Sequence, residues 1–237
     1  MKQRIWELDA LRGLCVLGMI VIHFVYDLVE LYGLVRWDYS LLFSFVKDWG
    51  GVLFLLISGI CVTLGSRHLL RGTVVLLCGF VCTAVTWGMY KLGMADKGIL
   101  IYFGVLHCLG VCMLLWSLLR KLPTAVTLPL SLVMIGLGLV LRNQSFVDFP
   151  WLVPFGFVYP GFVSSDYFPL LPNLGFFLLG SVIGNTLYKN RQSLLPRVNP
   201  GKGIPAFLRL CGKNSLWIYL LHQPLLSLLC MLLSAFR

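Results

Sequence analysis

Seven apolar runs, at about residues 11–30, 49–66, 72–90, 99–119, 123–141, 170–188 and 214–234, divide this chain almost from end to end. Each is 18–21 residues long, and a helix needs roughly 20 apolar residues to cross the hydrocarbon core of a bilayer. In lipid a spanning segment has to satisfy its own backbone polar groups, which leaves helices as the structure such runs can adopt. Composition agrees: 59% of the residues are hydrophobic and 12% are charged, where a soluble domain has about 45–50% and about 25%. Too little polar surface remains to coat a water-soluble globule. The sequence therefore predicts an all-α, polytopic integral membrane protein, a helical bundle of about seven transmembrane helices forming one domain over residues 1–237.

The net charge of +10 in a soluble protein would point to nucleic acid. Its distribution points elsewhere. Seven spans put the two termini on opposite faces, and thirteen Lys and Arg fall on the N-terminal side against six on the other. The positive-inside rule then predicts a cytoplasmic N-terminus and an extracytoplasmic C-terminus, with the basic excess facing anionic lipid. No nucleic-acid partner is expected. The apolar stretch after Gly13 is too long for a signal peptide and lacks a small-residue cleavage site, so the first helix is expected to stay as an anchor. The eight cysteines lie mostly inside apolar runs, where a thiol packs as a small hydrophobe. Cys78/Cys82 and Cys108/Cys112, spaced i,i+4 near His107, are read as packing rather than as a metal site, and no disulfide or metal is expected.

Ionisable side chains at membrane depth are costly and mark functional positions by default. His23 follows Arg12 by eleven residues, close to three helical turns and about 16 Å of rise, and Asp27 lies one turn further. Arg12, Met19, His23 and Asp27 thus form one stripe from the cytoplasmic edge to the outer leaflet. A histidine with a carboxylate at i+4 suits a general base, because the acid fixes the tautomer and stabilises the imidazolium. The alternative is that His23 bonds a neighbouring helix and Asp27 reaches the outer interface. His107, about 12 Å below the outer end of the fourth span, is at a similar depth and could face the same cavity. His222 opens His222-Gln-Pro224, where the proline frees a backbone carbonyl, so a kink and a chemical role both fit. His68, between Arg67 and Arg71, reads as solvated. The outer segment Ser164-Ser-Asp-Tyr-Phe-Pro-Leu-Leu-Pro-Asn173 closes a long aromatic loop that fits either a substrate-binding lid or a capped helix start.

Five motifs in order then carry a resemblance: Arg4-x-x-Glu-Leu-Asp-Ala-Leu-Arg-Gly13 with His23, Asp48-Trp-Gly-Gly-Val-Leu-Phe-Leu-Leu-Ile-Ser-Gly59, Phe103-Gly-Val-Leu-His107, Asp166 through Gly175, and Gly212-Lys-Asn-Ser-Leu-Trp-Ile-Tyr-Leu-Leu-His-Gln-Pro224. Together they resemble the transmembrane acyltransferases, and most closely a compact bacterial branch of the heparan-α-glucosaminide N-acetyltransferase-like group. The resemblance implies a bacterial cytoplasmic-membrane enzyme that takes an acetyl or other acyl group from cytoplasmic acetyl-CoA, its co-substrate. The implied acceptor is an extracytoplasmic amino sugar or envelope glycan. His23 becomes the catalytic residue, as base or acyl carrier, with Asp27 and His107 beside it. Asp9 and Arg12 organise the cytoplasmic entrance, and Arg12, Arg67, Arg71, Lys213, Asn214 and His222 form the donor-binding set. Asp48, Asp166, Tyr167 and Asn173 are the acceptor-binding candidates. Membrane lipids are expected partners, and a homo-oligomer is compatible with this picture. A proton-coupled small-molecule transporter is the alternative, since intramembrane His and Asp also build proton relays.

Overall fold

A computed structural model describes residues 4–141, 147, 149–196, 198 and 201–236. Lys2, Arg142, Asp148, Arg197 and Arg237 of the charge count lie outside them. Among the described residues the chain is helical, with eight α-helices: α1 Trp6–Tyr26, α2 Leu41–Leu64, α3 His68–Lys91, α4 Val105–Leu119, α5 Thr124–Leu141, α6 Leu170–Leu187, α7 Gly203–Lys213 and α8 Ser215–Ala235. Six are long and apolar enough to cross a membrane, α1 being prolonged to Leu31 by a π-helical turn at Asp27–Leu31. The fourth predicted span is shorter than expected. Residues 97–104 form a 3-10 turn and extended backbone, which leaves α4 with 15 residues, about 22 Å of rise. The protein thus has the apolar helices of a polytopic membrane protein. Their outer faces are bare: Leu42, Leu118 and Leu225 are 73%, 73% and 63% exposed, which an aqueous surface does not tolerate in such numbers.

The chain groups into two compact units, residues 1–54 with 191–237, and residues 55–190. In the first, α1 packs on α7 and α8. The α1/α7 contact is made by glycine: a Cβ on Gly212 would fall on the Asp9 carbonyl, and one on Gly13 would fall on the Leu208 carbonyl. Pairing of 9 with 212 and of 13 with 208 makes the two helices antiparallel. The chain then reverses at Asn214, so α8 runs parallel to α1, as the contacts of Arg12 with Ser215 and of Tyr32 with the Ser227 carbonyl record. The α7 helix lies in a segment that reads as a connection. Its Gly, Pro and Lys residues hide the spacing of Ile204, Phe207 and Leu208, and Pro205 sits in the first turn, where a missing N–H costs nothing.

In the second unit α3 packs on α4 and α5 on α6. Small residues again set the distances, Gly72 and Gly110 in the first pair and Gly138 and Gly175 in the second. The C-terminal half of α2 meets α6 at Gly59 and Gly180, each of which lacks room for a Cβ against the other helix's backbone. Without a hydrophobic drive between helices in lipid, close packing of this kind is what holds them together. The extended segments before α4 and α6 lie side by side: the Ser165 and Phe168 amides donate to the carbonyls of Leu100 and Phe103 at 3.1 and 2.8 Å.

Candidate active site

Arg12, His23 and Asp27 of the predicted stripe lie on the face of α1 that meets α8. Arg12 Nη2 donates to Ser215 Oγ at 2.9 Å, and its guanidinium stands 5.9 Å over the Phe54 ring. The His23 ring lies edge-on to His222, centroids 5.0 Å apart at 79°. Asp27 is 1% exposed and accepts from Gln223 Nε2 through both carboxylate oxygens, at 3.1 and 3.0 Å. The π turn that starts at Asp27 adds a residue to the helical repeat at this point, a feature that recurs at functional sites.

His222 faces the Tyr219 carbonyl with Nδ1. Only an N–H can satisfy a carbonyl, so this contact assigns the proton to Nδ1 and leaves a lone pair on Nε2. That Nε2 is buried and has no protein partner, and neither does the neighbouring Gln223 Oε1. The cluster of His23, Asp27, His222 and Gln223 therefore ends in two unsatisfied acceptors inside the membrane span. Orphaned buried polar atoms are rare in native proteins and call for a ligand or water. Towards the start of α1, Trp6 Nε1 and Arg12 Nε are buried donors without partners, and the 7%-exposed Asp9 lies 3.9 Å from Arg4, its one ion pair among the described residues. Glu7, also buried, accepts from Ser193 Oγ and the Leu194 amide and ties the segment before α7 to α1. Lys213 and Asn214 are exposed at the α7/α8 reversal, where Asn214 Nδ2 donates to the Leu210 carbonyl at 2.9 Å. Asp48 is exposed on α2.

The remaining predicted residues belong to the second unit. His107, 1% exposed, accepts from the Gly104 amide through Nδ1 at 3.2 Å, and its Nε2 lies 3.3 Å from Thr83 Oγ1. Thr83 donates its own proton to the Ile101 carbonyl at 2.7 Å, so Nε2 carries the hydrogen and both ring nitrogens are engaged. Asp166 Oδ2 accepts from the Val105 amide at 3.0 Å, the first turn of α4, where the helix dipole favours a carboxylate. Tyr167 donates to the Val153 carbonyl at 2.8 Å, and burial pushes its phenol up to about 12, so it is a donor throughout the neutral range. Asn173 donates to the Pro169 carbonyl at 2.8 Å. Beside these loops is a cavity of about 200 Å³ walled by rings of Tyr102, Phe103, Trp151 and Tyr159. Arg67 and Arg71 are exposed at the α2/α3 turn, Arg67 in the left-handed region at φ 59° and Arg71 folded over Gly65. All eight cysteines are free thiols, and no cluster with metal-holding geometry occurs among the described residues.

Structure thus gathers His23, Asp27 and His222 in one cluster, with Arg12 on the same helix pair, and gives His107, Asp166, Tyr167 and Asn173 separate partners in the second unit. Sequence reasoning missed Gln223 and Ser215. Both stand in the quoted Gly212–Pro224 motif, but an amide and a hydroxyl in an apolar run carry no titratable signal, and their partners are fixed only by the register of α1 on α8.

No curated protein and no solved structure matches the chain at a significant level. The family model of heparan-alpha-glucosaminide N-acetyltransferase, catalytic, matches residues 4–224. That span holds the whole α1/α8 cluster, the α4 start and the Asp166 loop. With its apolar helices and this match over nearly its full length, the chain belongs to the heparan-α-glucosaminide N-acetyltransferase catalytic-domain family and is a membrane acetyltransferase.

Proposed function

We propose that this enzyme transfers an acetyl group from acetyl-CoA, bound at the cytoplasmic end of α1, to an amino sugar or envelope glycan on the extracytoplasmic side, with His23 at the reacting centre. The buried cluster around His23, with its unsatisfied acceptors on His222 and Gln223, carries this proposal. Two orphaned acceptors fit an acceptor group that arrives with N–H or O–H donors. The orphaned donors Trp6 Nε1 and Arg12 Nε fit the acceptor-rich, anionic donor substrate. An extended pantetheine arm is on the order of 15–20 Å, by the per-bond reach that also limits a peptide, comparable with the rise of about 16 Å from Arg12 to His23.

In the transfer the acceptor's nucleophilic atom forms a bond to the acetyl carbonyl carbon as the carbon–sulfur bond of the thioester breaks. His23 takes the proton the acceptor loses and returns it to the departing thiolate. A transient acetyl-His23 would divide the same exchange into two steps, with the acceptor proton again ending on the CoA thiol. His222, with its proton held on the Tyr219 carbonyl, offers the second lone pair that a proton in transit needs. Lys213 and Asn214 are proposed to contact the donor's phosphates, and Arg67 and Arg71 of the second unit are kept as candidates on their charge alone. For the acceptor we keep Asp48, Asp166, Tyr167 and Asn173, and add the aromatic cavity, whose ring faces suit the apolar faces of a sugar. His107, engaged through both nitrogens, acts here by holding the start of α4.

Reconstituted protein tests this with acetyl-CoA and glucosamine. His23→Ala should lower transfer by at least about 100-fold, the lower range for a positioned acid–base group, while thermal stabilisation by acetyl-CoA is kept. Neutralising Arg12, or Arg67 with Arg71, should instead reduce that stabilisation, which scales with ligand occupancy. Transfer at the parent rate by His23→Ala overturns the proposal.

A further inference from the structure

Two close approaches set how far α7 runs along α1. Gly212 lies against the Asp9 carbonyl and Gly13 against the Leu208 carbonyl, so each turn of α7 stands beside one turn of α1 and runs the other way. Carried on for one more turn, the same spacing brings Ile204 level with Leu17, and Gly203, where α7 starts, level with Gly18. The continuous apolar helix that contains α1 is Trp6–Leu31, 26 residues long, whereas the hydrocarbon core takes up roughly 20. Wherever that stretch begins, from Trp6 to Arg12, the residues from Arg12 to Val25 are always inside it. Leu17 is therefore at least about 8 Å inside the hydrocarbon. The first two turns of α7 share that depth.

One face of α7 suits lipid. Ile204, Phe207 and Leu210, spaced i, i+3 and i+6, are each more than half exposed, as are Leu14 and Val21 of α1 at neighbouring levels. The start of the helix does not suit lipid. Lys202, its N-cap, is exposed and has no acceptor to offer the first-turn amides. Gly203 is in the left-handed region at φ 59°, with nothing within 4 Å of where a Cβ would stand. Some 10 Å from the nearer edge by the same helical rise, about 1.5 Å per residue, the Lys202 ammonium is deeper than a lysine stem can snorkel. A charge and open amides at such depth are tolerated where they line water. We infer that α7 is a re-entrant half-helix: its Ile204, Phe207 and Leu210 face lies on acyl chains of the leaflet at the N-terminal end of α1, and its start at Lys202 and Gly203 borders a water-filled inlet from that side. At the base of this element the buried Glu7 carboxylate holds Ser193 and Leu194 beside the first turn of α1. The inner end of the inlet is about 8 Å short of His23 along α1, so a polar molecule reaches that level without crossing hydrocarbon. This topology holds whatever chemistry His23 performs.

Spin-label accessibility of the full chain in lipid nanodiscs tests both halves. A nitroxide carried on p-acetylphenylalanine leaves the eight native cysteines untouched and replaces Phe207, Leu210, Lys202 or Val21, one at a time. Oxygen concentrates in hydrocarbon and a neutral nickel chelate in water, so the ratio of their collision rates with the label reads its surroundings. The oxygen-to-nickel ratio should exceed unity at 207 and 210, as at Val21, and fall below unity at 202, although Lys202 is the deeper residue. A ratio below unity at 207 and 210, or contact with neither reagent there, overturns the re-entrant helix. A label at 202 that meets oxygen in preference to nickel, or meets neither, overturns the inlet. All four side chains are exposed, so the label replaces no buried group. If the chain labelled at 207 does not fold, Leu210 gives the same answer from the same face.

Discussion

The four histidines show how little residue type says about role until the partners of each ring nitrogen are known. His23 and His107 read alike in the sequence, both in apolar helices and at similar depth. The structure separates them by what they touch. His107 has an amide on one nitrogen and a threonine hydroxyl on the other, and Gly79 packs so closely against its ring that a Cβ there would lie 3.0–3.1 Å from it, tighter than ordinary contact. His222 has a buried lone pair with no partner. His107→Ala is accordingly expected to cost about 2–3 kcal/mol, through the unmet Gly104 amide and the cavity left behind. Activity per folded molecule should stay within a few-fold of the parent, in contrast to His23→Ala; a thermal melt followed by an assay of the folded fraction checks both halves. The stripe Arg12, His23 and Asp27 was legible because 3.6 residues per turn is a property of the sequence spacing. Gln223 was not, because a stripe's partner is set by another helix.

At the scale of elements, hydropathy placed the apolar helices well. α5, α6 and α8 begin and end within a residue or so of the expected limits. Misplaced boundaries have physical causes. α4 starts at Val105 because the amides at its start are claimed by His107 Nδ1, three residues on, and by Asp166 Oδ2, from a loop more than 60 residues away. α2 starts at Leu41, eight residues early, since Lys47 and Asp48 are exposed on its surface and do not break it. α7 escaped notice because the glycines, proline and lysines in and around it mask the helical spacing of Ile204, Phe207 and Leu208. The Gly13/Gly212 crossing makes its packing on α1 testable. Gly212→Val puts side-chain atoms into the Asp9 carbonyl and should destabilise by about 3 kcal/mol or more, whereas Gly18→Ala, with open space around it, should be nearly neutral. Comparison of the two melts in the same detergent decides.

For the whole molecule, the direction of α8 matters most. Parallel α1 and α8 require an odd number of crossings between them, inclusive, so the 15-residue α4 is expected to cross as well, with its extended leader making up the missing depth. Together with thirteen basic residues on one side against six on the other, this predicts that a C-terminal phosphatase fusion is active and a C-terminal green fluorescent protein fusion is dark, with the reverse for fusions at Lys121. Equal signals at both sites would refute the orientation. The sequence by itself determined that the chain lives in lipid, roughly where its apolar helices lie, and to which family it belongs, because each of these is a sum over many residues or a property of local spacing. Only the tertiary structure decided which imidazole keeps a free lone pair and what holds Asp27. Those depend on a few atoms brought to hydrogen-bonding distance by helix–helix register, and register is set by small residues whose consequence appears only when two helices meet.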